Sequence, residues 1–238
     1  MTDENSSNAT DYAVALAKSA LGAVPIVGPF LAELAGTVIP RQRADRLADF
    51  ARGLACTLGA IDEDVRRAKL ANENFTDLLE QGALEAVRAV SADRRAYVAQ
   101  LVSSGLTEEK VSYVESKHLL RLLGQLNDIE IIWLRFYDYP LMNGDDEFRA
   151  KHAAILEPVA AMLGSRPDVI DQEALQQNYV EHLVSLGLLV RPLKVDSKTR
   201  QPIFDAHRGE WQSQSCRTSP LGRLLLRQIG ISCRGDVA

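Results

Sequence analysis

The stretch 21–39, LGAVPIVGPFLAELAGTVI, is more apolar for longer than any other part of the chain, and its one ionisable residue is Glu33. A helix of this length would reach about 28 Å, close to the roughly 30 Å hydrocarbon layer of a bilayer. Pro25 and Pro29 each remove a backbone donor, and the glycines around them lower helix propensity further. Because one straight helix is disfavoured, the sequence predicts an apolar helical hairpin over residues 21–39.

Three roles are open for this hairpin: a buried core, insertion into one membrane leaflet, or a buried protein interface. The arginines that follow Pro40 would lie at headgroup level in the membrane case, where each contributes about 1 kcal/mol against an anionic surface. Asp45 and Asp49 dilute this basic flank, so a solvated helix face is the competing interpretation. The candidate membrane or partner contact comprises Val24, Ile26, Val27, Phe30, Leu31, Leu34, Arg41, Arg43 and Arg46.

Composition places the chain among globular proteins, with 238 residues, 46% hydrophobic and 25% charged. A net charge of -5 argues against general nucleic-acid binding, which depends on a basic surface. The charge is uneven, because residues 191–238 contain nine Lys or Arg against four Asp or Glu. This asymmetry indicates two modules.

The cysteines and the N-terminus both favour a cytoplasmic protein. Cys56, Cys216 and Cys233 are odd in number and widely spaced, which is typical of a reducing compartment. The first residues, MTDENSSNATD, are acidic and polar and lack the basic start of a secretory signal. We expect a disordered tail over residues 1–10 and a cytoplasmic location, with peripheral membrane association if the hairpin inserts.

Residues 11–140 are predicted to form an all-α bundle. Helices are expected from Pro40 to about residue 61, from about 62, from about 83 to 103, and from Thr107 as one long helix to about residue 139. Core candidates recur at helical spacing in each of them, including Val90, Val114 and His118. The aromatic cluster at residues 133–139 is expected to be core, with a ligand-stacking platform as the alternative.

A boundary is predicted at residues 138–146, DYPLMNGDD, followed by a winged-helix-like α+β module over residues 147–238. Its expected elements are a helix at 147–163, a helix capped by Asp171, strand-like runs at 189–195 and 201–206, and a final helix announced by Ser219-Pro220. Specific DNA binding is disfavoured because the helix before the wing is acidic, DQEALQQNYVEHLVSL. A packing or protein-contact role is preferred, and a transcription regulator would need one continuous basic face.

Common catalytic motifs are missing from the sequence, including G-x-S-x-G, the P-loop, G-x-G-x-x-G and H-E-x-x-H. The four histidines are far apart and have no ligand spacing around them. We therefore predict a non-enzymatic protein without metal or cofactor.

The segments GAVPIVGPFLAELAGTVIP, RQRADRLADFARGL and YVEHLVSLGLLVRP…TSPLGRLLL together resemble the abortive-infection alpha family of bacterial helical proteins. The resemblance spans most of the chain and implies a role in defence against phage, with no catalytic residues to carry over. The sequence thus predicts a mainly α antiphage protein that engages a membrane or a phage-derived structure through its hairpin. The alternative is a soluble helical adaptor or sensor that binds a partner protein through the winged-helix-like tail, and an oligomer is compatible with both.

Overall fold

The structure is a computed structural model that describes residues 43–58, 64, 71–107, 111–138, 145–206 and 209–233. Within these ranges it contains nine α-helices and a small amount of antiparallel sheet, and 66% of the described residues are helical. The prediction of a mainly α protein is confirmed at this level. The predicted tail at 1–10 and the hairpin at 21–39 lie outside the described residues.

The chain divides into two compact units, Met1–Gln125 with Gln228–Gly230, and Leu126–Arg227 with Ile231–Ala238. The sequence placed its boundary one helix later, at residues 138–146, and the domain limits 11–140 and 147–238 stay predictions. The described helices of the first unit are α1 (Ala44–Leu58), α2 (Glu73–Arg88), α3 (Ala92–Thr107) and α4 (Tyr113–Gln125).

The core of the first unit is built from the apolar faces of these helices. The predicted inward face of α1 is confirmed, since Leu47, Ala51 and Leu54 are fully buried. Glycine allows two helices to approach closely, because a Cβ on Gly82 of α2 would lie 2.5 Å from a Val102 methyl group of α3. Such contacts leave little room for larger side chains.

The helix boundaries in the first unit differ from those predicted. Gly82 lies inside α2 rather than before a new helix, and α3 begins after Ser91, whose Oγ accepts a hydrogen bond from the Arg94 backbone N–H at 3.1 Å. Val90 therefore falls between helices and is exposed. The pattern-based prediction failed here because a serine cap decided where the helix starts.

The long helix predicted from Thr107 to about residue 139 is wrong, because two capping boxes interrupt it. Thr107 ends α3, and Ser112 caps α4: its N–H donates to the Glu115 carboxylate at 2.7 Å while its Oγ accepts from the Glu115 N–H at 3.3 Å. A second box at Asn127 starts the next helix. The break shifts the buried face, so Val114 and His118 are exposed.

The second unit begins with α5 (Asp128–Asp138) and continues with α6 (Asp146–Lys151), α7 (Ala153–Leu156) and α8 (Pro167–Ser185). The helix predicted for 147–163 ends early, because residues 157–166 contain neither helix nor strand and include Pro158. Helix α8 starts four residues before the predicted cap Asp171. Proline is well suited to the first helical position, where its missing N–H is not needed.

Four short strands follow: β1 (Leu189–Val190), β2 (Phe204–Asp205), β3 (Glu210–Trp211) and β4 (Arg217–Thr218). β1 pairs with β4 and β2 with β3, both antiparallel, and single bridges join Leu193 to Ser213 and Val195 to Pro202. We call residues 189–218 the ribbon. The two predicted strand regions contain β1 and β2, whereas β3 and β4 were not predicted.

Helix α9 (Pro220–Gln228) begins as predicted, because the Ser219 Oγ accepts a hydrogen bond from the Gly222 N–H at 2.9 Å. Gly222 also lies against the Leu188 backbone, so that a Cβ there would overlap the Leu188 carbonyl oxygen. Leu183, Leu225 and other fully buried leucines form the core of this unit.

Candidate functional site

Most of the predicted contact lies outside the described residues: Val24, Ile26, Val27, Phe30, Leu31, Leu34 and Arg41. Arg43 is exposed immediately before α1. Arg46 is half-buried and donates to the carbonyl oxygens of Val87 at 3.1 Å and Arg88 at 3.4 Å, at the C-terminus of α2. A cation is favourable there, so Arg46 stabilises a helix end. The predicted membrane or partner contact stays a prediction.

A concave site of a different kind lies within the second unit. It is an open cleft of about 420 Å³ between the last turns of α5, the segment after α7, the middle of α8 and the residue after β1. Its lining is mainly aromatic and aliphatic, with a few polar groups at one side: Trp133, Phe136, Tyr137, Leu156, Pro158, Gln176, Gln177, Val180, Glu181 and Arg191. We call it the aromatic cleft.

Three aromatic rings of α5 form one wall of the aromatic cleft. Trp133, Phe136 and Tyr137 share a helix face because they are spaced three and four residues apart. The Trp133 and Phe136 rings meet edge to face at 5.4 Å between centroids, and Phe136 and Tyr137 do so at 5.3 Å. Trp133 is buried, while Phe136 and Tyr137 are half-buried. The cluster therefore contributes to the core and also presents aromatic surface to the cleft.

Gln176 of α8 holds another part of the cleft lining. Its Oε1 accepts a hydrogen bond from the Val159 N–H at 3.0 Å, and its Nε2 donates to the Glu157 carbonyl oxygen at 2.9 Å. One amide thus fixes a segment that has no helix or strand of its own. A second hollow of about 580 Å³ shares Trp133, Pro158 and Gln176 with the cleft, so the two form neighbouring compartments.

The polar side of the aromatic cleft is an ion pair next to a thiol. The Arg191 Nη1 lies 2.6 Å from the Glu181 Oε1, and the Arg191 Nε donates to the buried Cys216 Sγ at 3.4 Å. These hydrogen bonds, first to Cys216 and then to Glu181, raise the pKa of Arg191. Burial, followed by the influence of Cys216, raises the pKa of Tyr137.

A buried carboxylate of the second unit also pairs with a histidine. The Glu130 Oε1 lies 2.6 Å from the His182 Nδ1, while the Glu130 Oε2 accepts the Asn127 N–H at 2.8 Å. His182 is therefore a helical histidine whose ring is satisfied by a buried partner. This carboxylate fixes the start of α5 and ties α5 to α8.

Sequence reasoning missed the polar members of the cleft. Glu181 was read as one acid of an acidic helix, Arg191 as part of a basic tail, and Gln176 was not singled out. The glycine at position 187, just after the end of α8, is the sequence signal that could have indicated the ion pair. Its φ of 71° lies in the left-handed region, and the turn there brings the residue after β1 back beside α8.

Two searches of the described residues bear on other kinds of site. Within those ranges no group of three or more His, Cys, Asp or Glu side chains is arranged to hold a metal ion. None of the helices that the structure describes is both long and apolar enough to cross a bilayer.

Comparison of the chain with protein-family models, with curated proteins and with solved structures found no match.

Proposed function

We propose that this is a non-catalytic adaptor or sensor that binds a partner protein through its second unit, with the aromatic cleft as the contact. The supporting observation is a preformed concave site with aromatic and aliphatic walls and one ion pair, a composition typical of binding sites. Phe136 and Tyr137 are half-buried and leave part of their rings accessible, and aromatic residues are enriched where proteins recognise one another.

The order of helix α8, the ribbon with its paired strands and the capped helix α9 supports a winged-helix-like arrangement. We assign this arrangement to protein contact rather than to specific reading of duplex DNA. Helix α8 contains four acidic residues and no Lys or Arg: Asp168, Asp171, Glu173 and Glu181. An acidic helix is repelled by phosphates, whose neutralisation supplies most of the affinity for DNA.

Photocrosslinking from two neighbouring positions of α8 tests the proposal. Gln177 lines the aromatic cleft, whereas the adjacent Asn178 does not line it, and both side chains are exposed. A benzoylphenylalanine placed at 177 should capture one defined protein in the cells that express the chain, and the same group at 178 should not. Equal yields of the same product from both positions would refute the cleft as the contact.

A blocking variant provides the matching loss of function. Gln177→Trp should fill the cleft and abolish association with the captured partner, while Asn178→Trp should leave it unchanged. Both changes are at exposed helical positions, so the free energy of unfolding of each variant should stay within about 0.5 kcal/mol of the wild-type value. Normal association by Gln177→Trp would contradict the proposal.

A second function is favoured by the apolar stretch 21–39 with its basic flank, to which the exposed Arg43 belongs. In this proposal the protein acts in phage defence at a membrane surface, as its resemblance to the abortive-infection alpha family implies. The full chain should float with anionic liposomes, and Arg43→Glu should weaken attachment by about 1–2 kcal/mol. Protein that stays at the bottom of the gradient, with and without phage-infected cell extract, would exclude membrane attachment.

A further inference from the structure

The two charged side chains of the aromatic cleft differ in solvent exposure and in the number of their hydrogen-bond partners. Glu181 and Arg191 are the charged residues in its described lining, and they pair at 2.6 Å. The Glu181 side chain is 55% exposed and the Arg191 side chain 35% exposed. Arg191 has a second anchor in the buried Cys216, to which its Nε donates. The guanidinium is therefore the fixed partner, and the carboxylate is the one that water reaches.

This inequality determines which member of the pair a ligand can replace. Exposed ion pairs contribute little to stability, so releasing the Glu181 carboxylate into water costs little. Displacing Arg191 would in addition break its hydrogen bond to the buried Cys216 thiol, so the guanidinium is the costlier member to move. A ligand carboxylate is thus the favoured substitute, and the planar guanidinium can bind it through two parallel N–H groups.

The neighbouring wall specifies what the carboxylate should be attached to. The rings of Phe136 and Tyr137 line the same cleft as Arg191, and Leu156 and Val180 also belong to its apolar lining. A flat apolar group there would gain edge-to-face contacts like those that the α5 rings make with each other. The volume of about 420 Å³ lies within the range of about 300–1,000 Å³ found for small-ligand sites.

We infer that the aromatic cleft recognises a carboxylate next to an aromatic side chain, with the ligand's carboxylate replacing that of Glu181 on Arg191. This inference rests on the proposed function and names the chemistry of the partner segment. Such a group occurs at a peptide C-terminus ending in phenylalanine, or within a chain where an acidic residue precedes phenylalanine.

Matched probes test the inference on the full-length protein. The probes are N-acetylphenylalanine, its neutral amide, and N-acetyl-aspartyl-phenylalanine amide. The protein has two tryptophans, so Trp211→Phe leaves Trp133 of the cleft as the fluorescent reporter. The free acid should bind about tenfold more tightly than its amide. If the aspartyl probe binds as tightly as the free acid, an internal acidic residue can supply the carboxylate. If it binds only as weakly as the amide, the carboxylate must be that of a C-terminus.

Two substitutions and one control assign the effect to the ion pair. Arg191→Gln should abolish the preference for acid over amide, and Glu181→Gln should raise the affinity for the acid about two- to fivefold by removing the competing carboxylate. Arg217→Gln removes an exposed arginine of β4 that does not line the cleft, and it should change nothing.

Three results would overturn the inference: equal binding of acid and amide, an acid preference that survives Arg191→Gln, or no saturation by about 10 mM probe. Circular dichroism melting would verify that each variant is folded. If crosslinking at 177 still identifies a partner while the carboxylate preference is missing, the proposed function stands and only its chemistry is wrong.

Discussion

The described parts of the two units differ in how far their large apolar side chains are buried. In the first unit Phe50, Phe75 and most leucines of α1 and α2 are fully buried. In the second unit several large apolar side chains are substantially exposed, among them Leu163, Phe204 and Trp211, and aromatic rings line an open cleft. Burial of apolar surface is the main source of stability, whereas exposed apolar surface on a folded unit is typical of binding. Among the described residues, the comparison assigns the larger fully buried core to the first unit and a recognition surface to the second.

The largest expected effect tests the first half of this comparison. Phe50→Ala should destabilise the protein by about 3–5 kcal/mol, because it empties a fully buried site beside Gly82. Phe204→Ala, at a site that is 51% exposed on the ribbon, should cost less than about 1 kcal/mol. Denaturant unfolding followed by circular dichroism measures both. Similar losses from the two changes would break the comparison.

The next effect concerns two helical glycines, one in each unit. Gly222→Ala should destabilise the second unit by about 1–3 kcal/mol, because the new methyl group overlaps the Leu188 carbonyl oxygen. Gly124→Ala in α4 should instead stabilise by about 0.4–1 kcal/mol through helix propensity, since its nearest neighbour is the carboxylate of Glu85 at 3.4 Å.

Tryptophan fluorescence makes the glycine experiment specific for the unit. Trp133 and Trp211, the two tryptophans of the sequence, both belong to the second unit. Gly222→Ala should lower the midpoint of the fluorescence transition, and Gly124→Ala should leave it unchanged or raise it. An unchanged fluorescence transition in Gly222→Ala would show that the helix start tolerates a side chain and that the close approach is not essential.

A smaller effect sharpens the role of the cleft. Phe136→Ala should cost about 1–2 kcal/mol in stability, less than Phe50→Ala, because its ring is only half-buried. It should nevertheless remove one wall of the aromatic cleft and abolish binding of the captured partner. Calorimetry and the crosslinking assay report the two effects separately. Full binding by a folded Phe136→Ala protein would exclude an aromatic contact.

The smallest effect is the acid sensitivity of the ribbon turn. The Asp196 carboxylate accepts hydrogen bonds from the N–H groups of Thr199 and Lys198, which hold its pKa below the usual value. A depressed pKa means that this stabilisation is present above the ordinary aspartate pKa and is lost as pH falls through the lower, folded value. NMR titration should show the late protonation directly. Asp196→Asn should reduce the acid dependence of the turn's signals, and a normal Asp196 titration would contradict this account.

Sequence reasoning succeeded where a local pattern decides the structure. The inward face of α1, the cap at Ser219 and the helical character of the described part of the first unit follow from periodicity and from side chains that bond to nearby backbone. The helix breaks at Ser112 and Asn127 were also encoded locally, as capping boxes. They were missed because the apolar spacing continued through them and was given more weight.

The site was not predictable in the same way. Three of its aromatic residues were recognised, since they are spaced along one helix, but its polar side joins Glu181, Arg191 and Cys216, whose proximity depends on how the ribbon folds back. Pairing of strands with only two residues each carries almost no sequence signal. The hairpin at 21–39, which sequence reasoning placed at the centre of function, is tested by the liposome flotation.

The buried carboxylate of Glu130 has a consequence for how this sequence can change over evolutionary time. The Glu130 carboxylate caps the start of α5 at Asn127 and pairs with His182 of α8. Substitution of Glu130 would therefore remove both contacts in one step. Loss of the imidazole would remove only the second. We expect position 182 to vary before position 130 in descendants of this chain, with glutamine or asparagine as tolerated replacements. Positions 127 and 130 should be substituted together or not at all.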